Sequence, residues 1–189
     1  EDPSVYLEAF ERLKDRGTIR TYGISTDSLD VLKRFNINNT CDVVETDYSL
    51  LNRNPEKEFL PYCQEHGIAV LVRGPLHKGL LSGKYSTSTT FTDTVRSEWY
   101  QTEKSRAKLA RKLQKVDALK TVVNPGADMV RAAIRYTLSH PANPVAIPGA
   151  KSPEQAAVNA KAGDRPLTNL EQKTLVNATK VEPAAAIAS

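Results

Sequence analysis

Cysteine and aromatic residues are scarce in this sequence of 189 residues: two cysteines, one tryptophan, and 6% aromatic residues in all. Cys41 and Cys63 stand far apart, each in an apolar segment, which predicts buried free thiols rather than a disulfide or a metal pair. No apolar run approaches the roughly twenty residues of a membrane-crossing helix, and no basic-then-apolar signal segment is present. Charge of one sign is also in short supply. The surplus is only +4, and the one dense basic stretch, Lys104 to Lys120, falls on the polar side of a helical pattern. A solvated helix face is expected there, not a nucleic-acid surface. No G-x-G-x-x-G follows any strand-like run, so the dinucleotide fingerprint of open α/β sheets is missing. What remains is ordinary in bulk: 40% hydrophobic and 25% charged residues, enough for one domain with a real core, expected to be soluble and cytoplasmic.

The chain alternates helix and strand patterns. Asp2-Pro3-Ser4 leads into a helix with Tyr6, Phe10 and Leu13 on one face, stopped at Gly17, and this helix has no strand before it. Ile19 to Ile24 reads as a strand, and Ser25-Thr26-Asp27 ends it and caps a helix carrying Leu29, Leu32 and Phe35. Cys41 to Thr46 is the next strand. Pro55 opens a helix with Phe59, Leu60 and Cys63 that stops at Gly67, and Ile68 to Val72 is a strand apolar on both faces. The connection after it is long. Gly74, Gly79 and Gly83 permit close backbone approach to a ligand, and the Ser/Thr-rich run Ser86 to Thr94 is expected to be mobile. Helices over Ser105 to Val122 and Ala127 to Ser139 follow, then a short strand (Val145 to Ile147), its helix, and a last helix with a capping box from Thr168 to Glu171. The Ala-rich tail over 183–189 is expected to be disordered.

The stretch from Pro144 to Asn159 carries the most chemistry. It passes from strand through Pro148-Gly149 into a helix with Ser152 as N-cap, Pro153 in the first turn and Gln155 three residues after the cap. A helix start exposes unpaired N–H groups and positive potential, and Lys151 stands beside it, so this is a phosphate site in outline. An ordinary capped helix would carry the same signals. Four strands joined by crossover helices imply a parallel sheet, either an open doubly wound sheet or part of a βα barrel. Ser25, Glu45, Arg73, Gly149 and Lys151 all fall just after or at the ends of strands, where barrel sites lie, which favours the barrel. Four strands cannot close a barrel that needs eight.

Four blocks then carry a resemblance: Gly17-Thr18-Ile19-Arg20-Thr21-Tyr22-Gly23-Ile24-Ser25; Asp47-Tyr48-Ser49-Leu50-Leu51-Asn52-Arg53; the run from Gly74 to Tyr85; and Ile147 to Gln155 with Asn159. In this order and spacing the chain resembles the C-terminal half of an aldo-keto reductase, of the bacterial type with Arg-Gly-Pro-Leu after the seventh strand. The resemblance implies half of a (β/α)8 barrel over 1–182 that binds NADPH in extended form and whose full-length form reduces aldehydes or ketones. It places Ser25 near the nicotinamide, Gly74, Pro75, Leu76, Gly79 and Lys84 along the pyrophosphate, and Gly149, Lys151, Gln155 and Asn159 on the adenosine and its 2′-phosphate. A lysine beside a helix N-terminus suits a 2′-phosphate on chemical grounds as well.

Two positions depart from the family pattern. Glu45 replaces a glutamine that hydrogen-bonds the nicotinamide carboxamide, and an ionised carboxylate cannot donate. Arg73 takes the place of an aromatic that stacks on the nicotinamide. The tyrosine, lysine, aspartate and histidine that the family uses for catalysis belong to its first four strands, so none is assigned in this chain. Tyr22 and Tyr48 are read as packing residues. His66, His77 and His140 are read as structural or surface residues, with His77 nearest the expected cofactor. Three readings follow: part of a longer NADPH-dependent reductase, which is favoured; a non-catalytic NADP(H)-binding half-barrel acting as a regulatory or assembly module; or a half-barrel that completes itself with a second half-barrel or its own copy.

Overall fold

The computed structural model describes residues 2–180; the tail expectation for 183–189 lies outside them. Its elements are α1 (Ser4–Asp15), β1 (Gly23–Ser25), α2 (Leu29–Phe35), β2 (Val43–Asp47), α3 (Phe59–Glu65), β3 (Ala69–Arg73), α4 (Thr94–Ser97), α5 (Glu103–Leu119), α6 (Ala127–Leu138), β4 (Val145–Ala146), α7 (Pro153–Ala160) and α8 (Asn169–Ala178). The four strands form one sheet in the order β1-β2-β3-β4, every neighbour parallel, with Ser25 opposite Glu45, Asp47 opposite Arg73 and Val72 opposite Ala146. Chain order and spatial order coincide because each crossover carries the chain to the adjacent strand position.

Alternation along the strands decides which face is buried. Val44, Thr46, Val70 and Val72 are all but inaccessible and point into the helical layer. Glu45, Asp47, Leu71 and Arg73 point the other way and stay half-buried. The core gathers Leu32, Leu60, Cys63, Leu80, Leu81, Leu113, Val116 and Leu119 behind the sheet. Cys41 and Cys63 are both buried free thiols, as expected.

Several local expectations shift. Tyr6 is 62% exposed, and Leu7 takes its inward place in α1. The first strand opens at Gly23 rather than Ile19, because the Tyr22 N–H is taken by the Asp42 carboxylate at 3.1 Å before the ladder begins. Cys41 likewise lies outside β2, its N–H bound to Asn36 Oδ1 at 3.1 Å. Pro55 starts only a single 3₁₀ turn, and α3 begins at Phe59. Asp27 does not cap α2; Ser28 does, accepting from the Val31 N–H. The run expected to be mobile is anchored by an aromatic cluster: Phe91 and Trp99 are buried, and Phe91 meets Tyr85 and Trp99 edge-on. Thr168 and Glu171 form the expected capping box. No described helix is long and apolar enough to cross a membrane.

Candidate functional site: a groove at the strand ends

At the C-terminal ends of β3 and β4 lies a groove of about 800 Å³ between the connection after β3 and the start of α7. Gly74, Pro75, Leu76, Gly79 and Lys84 line one wall, and Gly149, Lys151, Gln155 and Asn159 the other. These nine site expectations, up to 85 residues apart in the chain, therefore meet in one cavity.

The far wall is fastened by its own side chains. Ser152 caps α7 by accepting from the Gln155 N–H at 3.3 Å, while Gln155 Oε1 accepts from the Lys151 N–H at 2.8 Å. The amide of Asn159 donates to the Gly149 carbonyl at 3.3 Å. Gln155 and Asn159 thus hold the Gly149–Lys151 turn across the first turns of the helix. They leave Lys151 exposed beside the helix N-terminus, with no ion-pair partner among the described residues. Lys84 is likewise exposed and unpaired among the described residues. One free cation from each wall and a helix start make the groove a match for anionic oxygens.

The near wall is built from unusual backbone. Gly74 has φ +66, and a Cβ there would stand 2.4 Å from the Asp47 carboxylate, so a side chain at this turn would be strained and would displace Asp47. His77, Lys78 and Gly79 follow with consecutive positive φ values of 49, 54 and 90. Non-glycine residues in this region are uncommon and cluster at functional sites. Arg96 also reaches the groove; it pairs with Asp93, donates to the Tyr85 hydroxyl at 2.6 Å and lies 4.6 Å over the Phe91 ring. Its position was not legible in the sequence, because only the packing of the Ser/Thr-rich run carries it there.

Ser25, Glu45 and Arg73 lie outside the groove and form a separate cluster. Ser25 Oγ donates to Glu45 Oε1 at 3.3 Å, and Arg73 Nε stands 3.7 Å from the same oxygen. Arg73 also pairs with Asp27, whose carboxylate accepts from the Asp47 N–H at 2.8 Å and the Thr46 hydroxyl at 3.0 Å. Burial pushes the Asp27 carboxyl up, but these bonds and the guanidinium prevail and hold it below its ordinary value. Asp27, expected as a helix cap, is therefore the residue that orients Arg73.

The other expectations sort cleanly. Tyr22 packs, stacked on Phe10 at 4.9 Å. Tyr48 is 1% exposed, and burial drives its hydroxyl pKa far up, so it serves packing as expected. His66 stacks on Tyr62, and His140 Nδ1 accepts from the Ala142 N–H at 3.1 Å. His77 has more company than its loop position suggests: Ser49 Oγ lies 3.2 Å from Nδ1 and Lys112 Nζ 2.6 Å from Nε2. No group of metal-binding side chains exists among the described residues.

A model of the Aldo/keto reductase family matches residues 2–179. The chain is 34% identical over 178 residues to the uncharacterized oxidoreductase YqkF of Bacillus subtilis (strain 168), covering 92% of this chain and 55% of that protein. Among solved structures it resembles the glycerol dehydrogenase AKR11B4 from Gluconobacter oxydans, with a TM-score of 0.73 and 27% identity over 89% of this chain and 51% of that one. It also resembles an aldo-keto reductase from Klebsiella pneumoniae in complex with NADPH, with a TM-score of 0.60 and 25% identity over 90% of this chain and 52% of that one. The chain spans about half the length of the relatives it matches.

Proposed function

Because the chain belongs to the Aldo/keto reductase family, we propose that residues 1–182 are the NADP(H)-binding half of a (β/α)8 reductase whose full length reduces aldehydes or ketones. The observation that carries this reading is the groove. It gathers nine residues that the resemblance assigns to the cofactor, from the connections after β3 and β4, and presents Lys84 and Lys151 without carboxylate partners among the described residues.

The residues present fit a dinucleotide phosphate. Lys151, beside the α7 N-terminus, would hold a 2′-phosphate, which makes NADPH the better ligand than NADH. Gln155 and Asn159 keep the turn that presents it. Lys84 and the bare backbone at Gly74 would follow the pyrophosphate, where a Cβ would crowd the Asp47 carboxylate. When bound, the nicotinamide supplies a hydride to the carbonyl carbon. The pair of Arg73 with Asp27 and Glu45 sets a planar cation at the strand ends, and Ser25 adds a hydroxyl beside it. On this reading the acid that protonates the carbonyl oxygen comes from residues outside this chain, because the three buried tyrosine hydroxyls are engaged: Tyr22 donates to Glu11. Tyr48 and Tyr136 both donate to Glu56.

The test is a titration of NADPH and NADH into the chain and into Lys151→Ala, followed by nucleotide fluorescence. NADPH affinity is expected to fall about tenfold or more, the value of one charge-assisted contact, with NADH little changed. Equal loss for both nucleotides removes the 2′-phosphate assignment, and no binding of either removes the reading.

A further inference from the structure

A second cavity, of about 670 Å³, shares Gly74 and Lys78 with the cofactor groove and reaches to Arg73. Its far side is α5, where Lys108, exposed, and Lys112, half-buried, stand one helical turn apart and line the cavity. The sequence pattern put both on a solvated helix face.

Its lining carries more cations than carboxylates. Lys78 is paired with Glu98, and Arg73 with Asp27 and Glu45. Asp47 faces the cavity as a carboxylate; it accepts from the neutral Asn52 amide at 2.8 Å, which leaves its charge acting on Lys112. Neither Lys108 nor Lys112 has an ion-pair partner among the described residues. Lys112 instead donates to His77 Nε2 at 2.6 Å. An ammonium only donates, so the ring proton of His77 sits on Nδ1, toward Ser49. This contact fixes Lys112 and leaves two of its three N–H donors for a ligand. Burial, and then the charges of Lys112, Lys78 and Lys108, lower the His77 pKa to about 3. Burial and Lys108 lower that of Lys112, against the opposing charges of Asp47 and Glu98. The lining residues thus set four cations against two carboxylates, with Asp27 and Glu45 pairing Arg73 from outside the cavity. What the cavity offers an anion is Lys108 and Lys112, which have no ion-pair partner among the described residues.

We propose that this cavity binds an oxyanion, a carboxylate or phosphate, carried by the carbonyl substrate, with Lys108 and Lys112 as its charge partners. The substrate half of this assignment rests on the reductase reading of the adjoining groove. Arg73, which lines the cavity and stands where the resemblance places the nicotinamide, links the two. The implied substrates are aldehydes or ketones with an acidic group, not neutral carbonyls.

The experiment uses this chain with inorganic phosphate and, in a separate arm, acetate, followed by calorimetry and by NMR of the His77 ring, with NADPH added to fill the groove. One or both anions are expected to bind saturably and to raise the His77 pKa, since a nearby negative charge favours the imidazolium. Lys108→Gln with Lys112→Gln should weaken that binding about tenfold or more, Lys112→Arg should retain it, and NADPH affinity should stay unchanged. The stronger arm identifies the substrate's acidic group. Absence of saturable binding, or binding that survives the double change or is lost in Lys151→Ala, overturns the proposal. A chain that takes up NADPH and neither anion loses this inference alone. One that binds the anion at the lysines and no NADPH keeps an anion site, but the substrate assignment falls with the reductase reading.

Discussion

Two tyrosine hydroxyls and a guanidinium converge on the carboxylate of Glu56. Tyr48 donates at 2.9 Å, Tyr136 at 2.5 Å and Arg53 Nη2 at 2.8 Å. Burial raises the Glu56 pKa, yet these donors outweigh it and hold the group below its ordinary 4.5. A depressed carboxylate contributes stability that is present above pH 4.5 and lost as the pH falls toward the folded-state value. Glu56→Ala leaves the three donors unsatisfied and is expected to cost about 3 kcal/mol, with Glu56→Gln costing about half as much; urea unfolding at pH 7 measures both. His77 works on a higher window. Its pKa drops from 6.5 to about 3 on folding, so the unfolded chain takes up a proton first. The stability it contributes is complete above pH 6.5 and declines down to about pH 3. In buffer free of phosphate and carboxylates, the fall in urea midpoint from pH 7 to pH 5 should be smaller in His77→Gln than in the parent; equal slopes would refute the buried neutral imidazole. His77 was legible as a residue near the site, but its partner Lys112, 35 positions away, was not. Helical periodicity marks a polar face without saying which loop folds against it.

The β1–β2 ladder depends on a residue with no side chain. A Cβ on Gly23 would stand 1.6 Å from the Val43 carbonyl oxygen, and that neighbour is strand backbone that cannot give way. Gly23→Ala is expected to destabilise the chain by more than about 3 kcal/mol and to abolish its cooperative thermal transition, with circular dichroism as the readout. Most strands and helices were readable from period and caps, as Ser152 and Thr168 show by accepting from the expected helix-start N–H groups. Boundaries were less so. Strand β1 starts four residues later than the β-branched run suggests, because the Asp42 side chain, not a strand partner, takes the Tyr22 N–H. The Ser/Thr-rich connection read as loose because its composition is polar, yet four aromatic residues pack it together.

Strand β4 is the outer edge of the sheet, and Val145 and Ile147 beside it are 54% and 44% exposed. Apolar residues on an open edge invite pairing with another chain or segment, and in a closed barrel they would be covered. For the chain as described, Val145→Thr with Ile147→Thr should change stability by less than about 0.5 kcal/mol per site, the usual result for exposed positions. A loss of several kcal/mol, or one that grows with protein concentration, would show that the face is covered in solution, as the reading of a half-barrel completed by a second copy requires.

The sequence by itself determined the parallel sheet and the order of the elements other than α4, because periodicity and capping are local properties that survive reading along the chain, and its four short motifs carried the family resemblance that singled out the nine residues lining the groove. Only the tertiary structure decided that Ser25, Glu45 and Arg73 form their own cluster with Asp27 and that Arg96 enters the groove. It alone set Lys108 and Lys112 around a cavity with His77. Those arrangements depend on side chains distant in sequence being pressed together by core packing, and a pairing of that kind leaves no periodic trace in either partner's own stretch of chain.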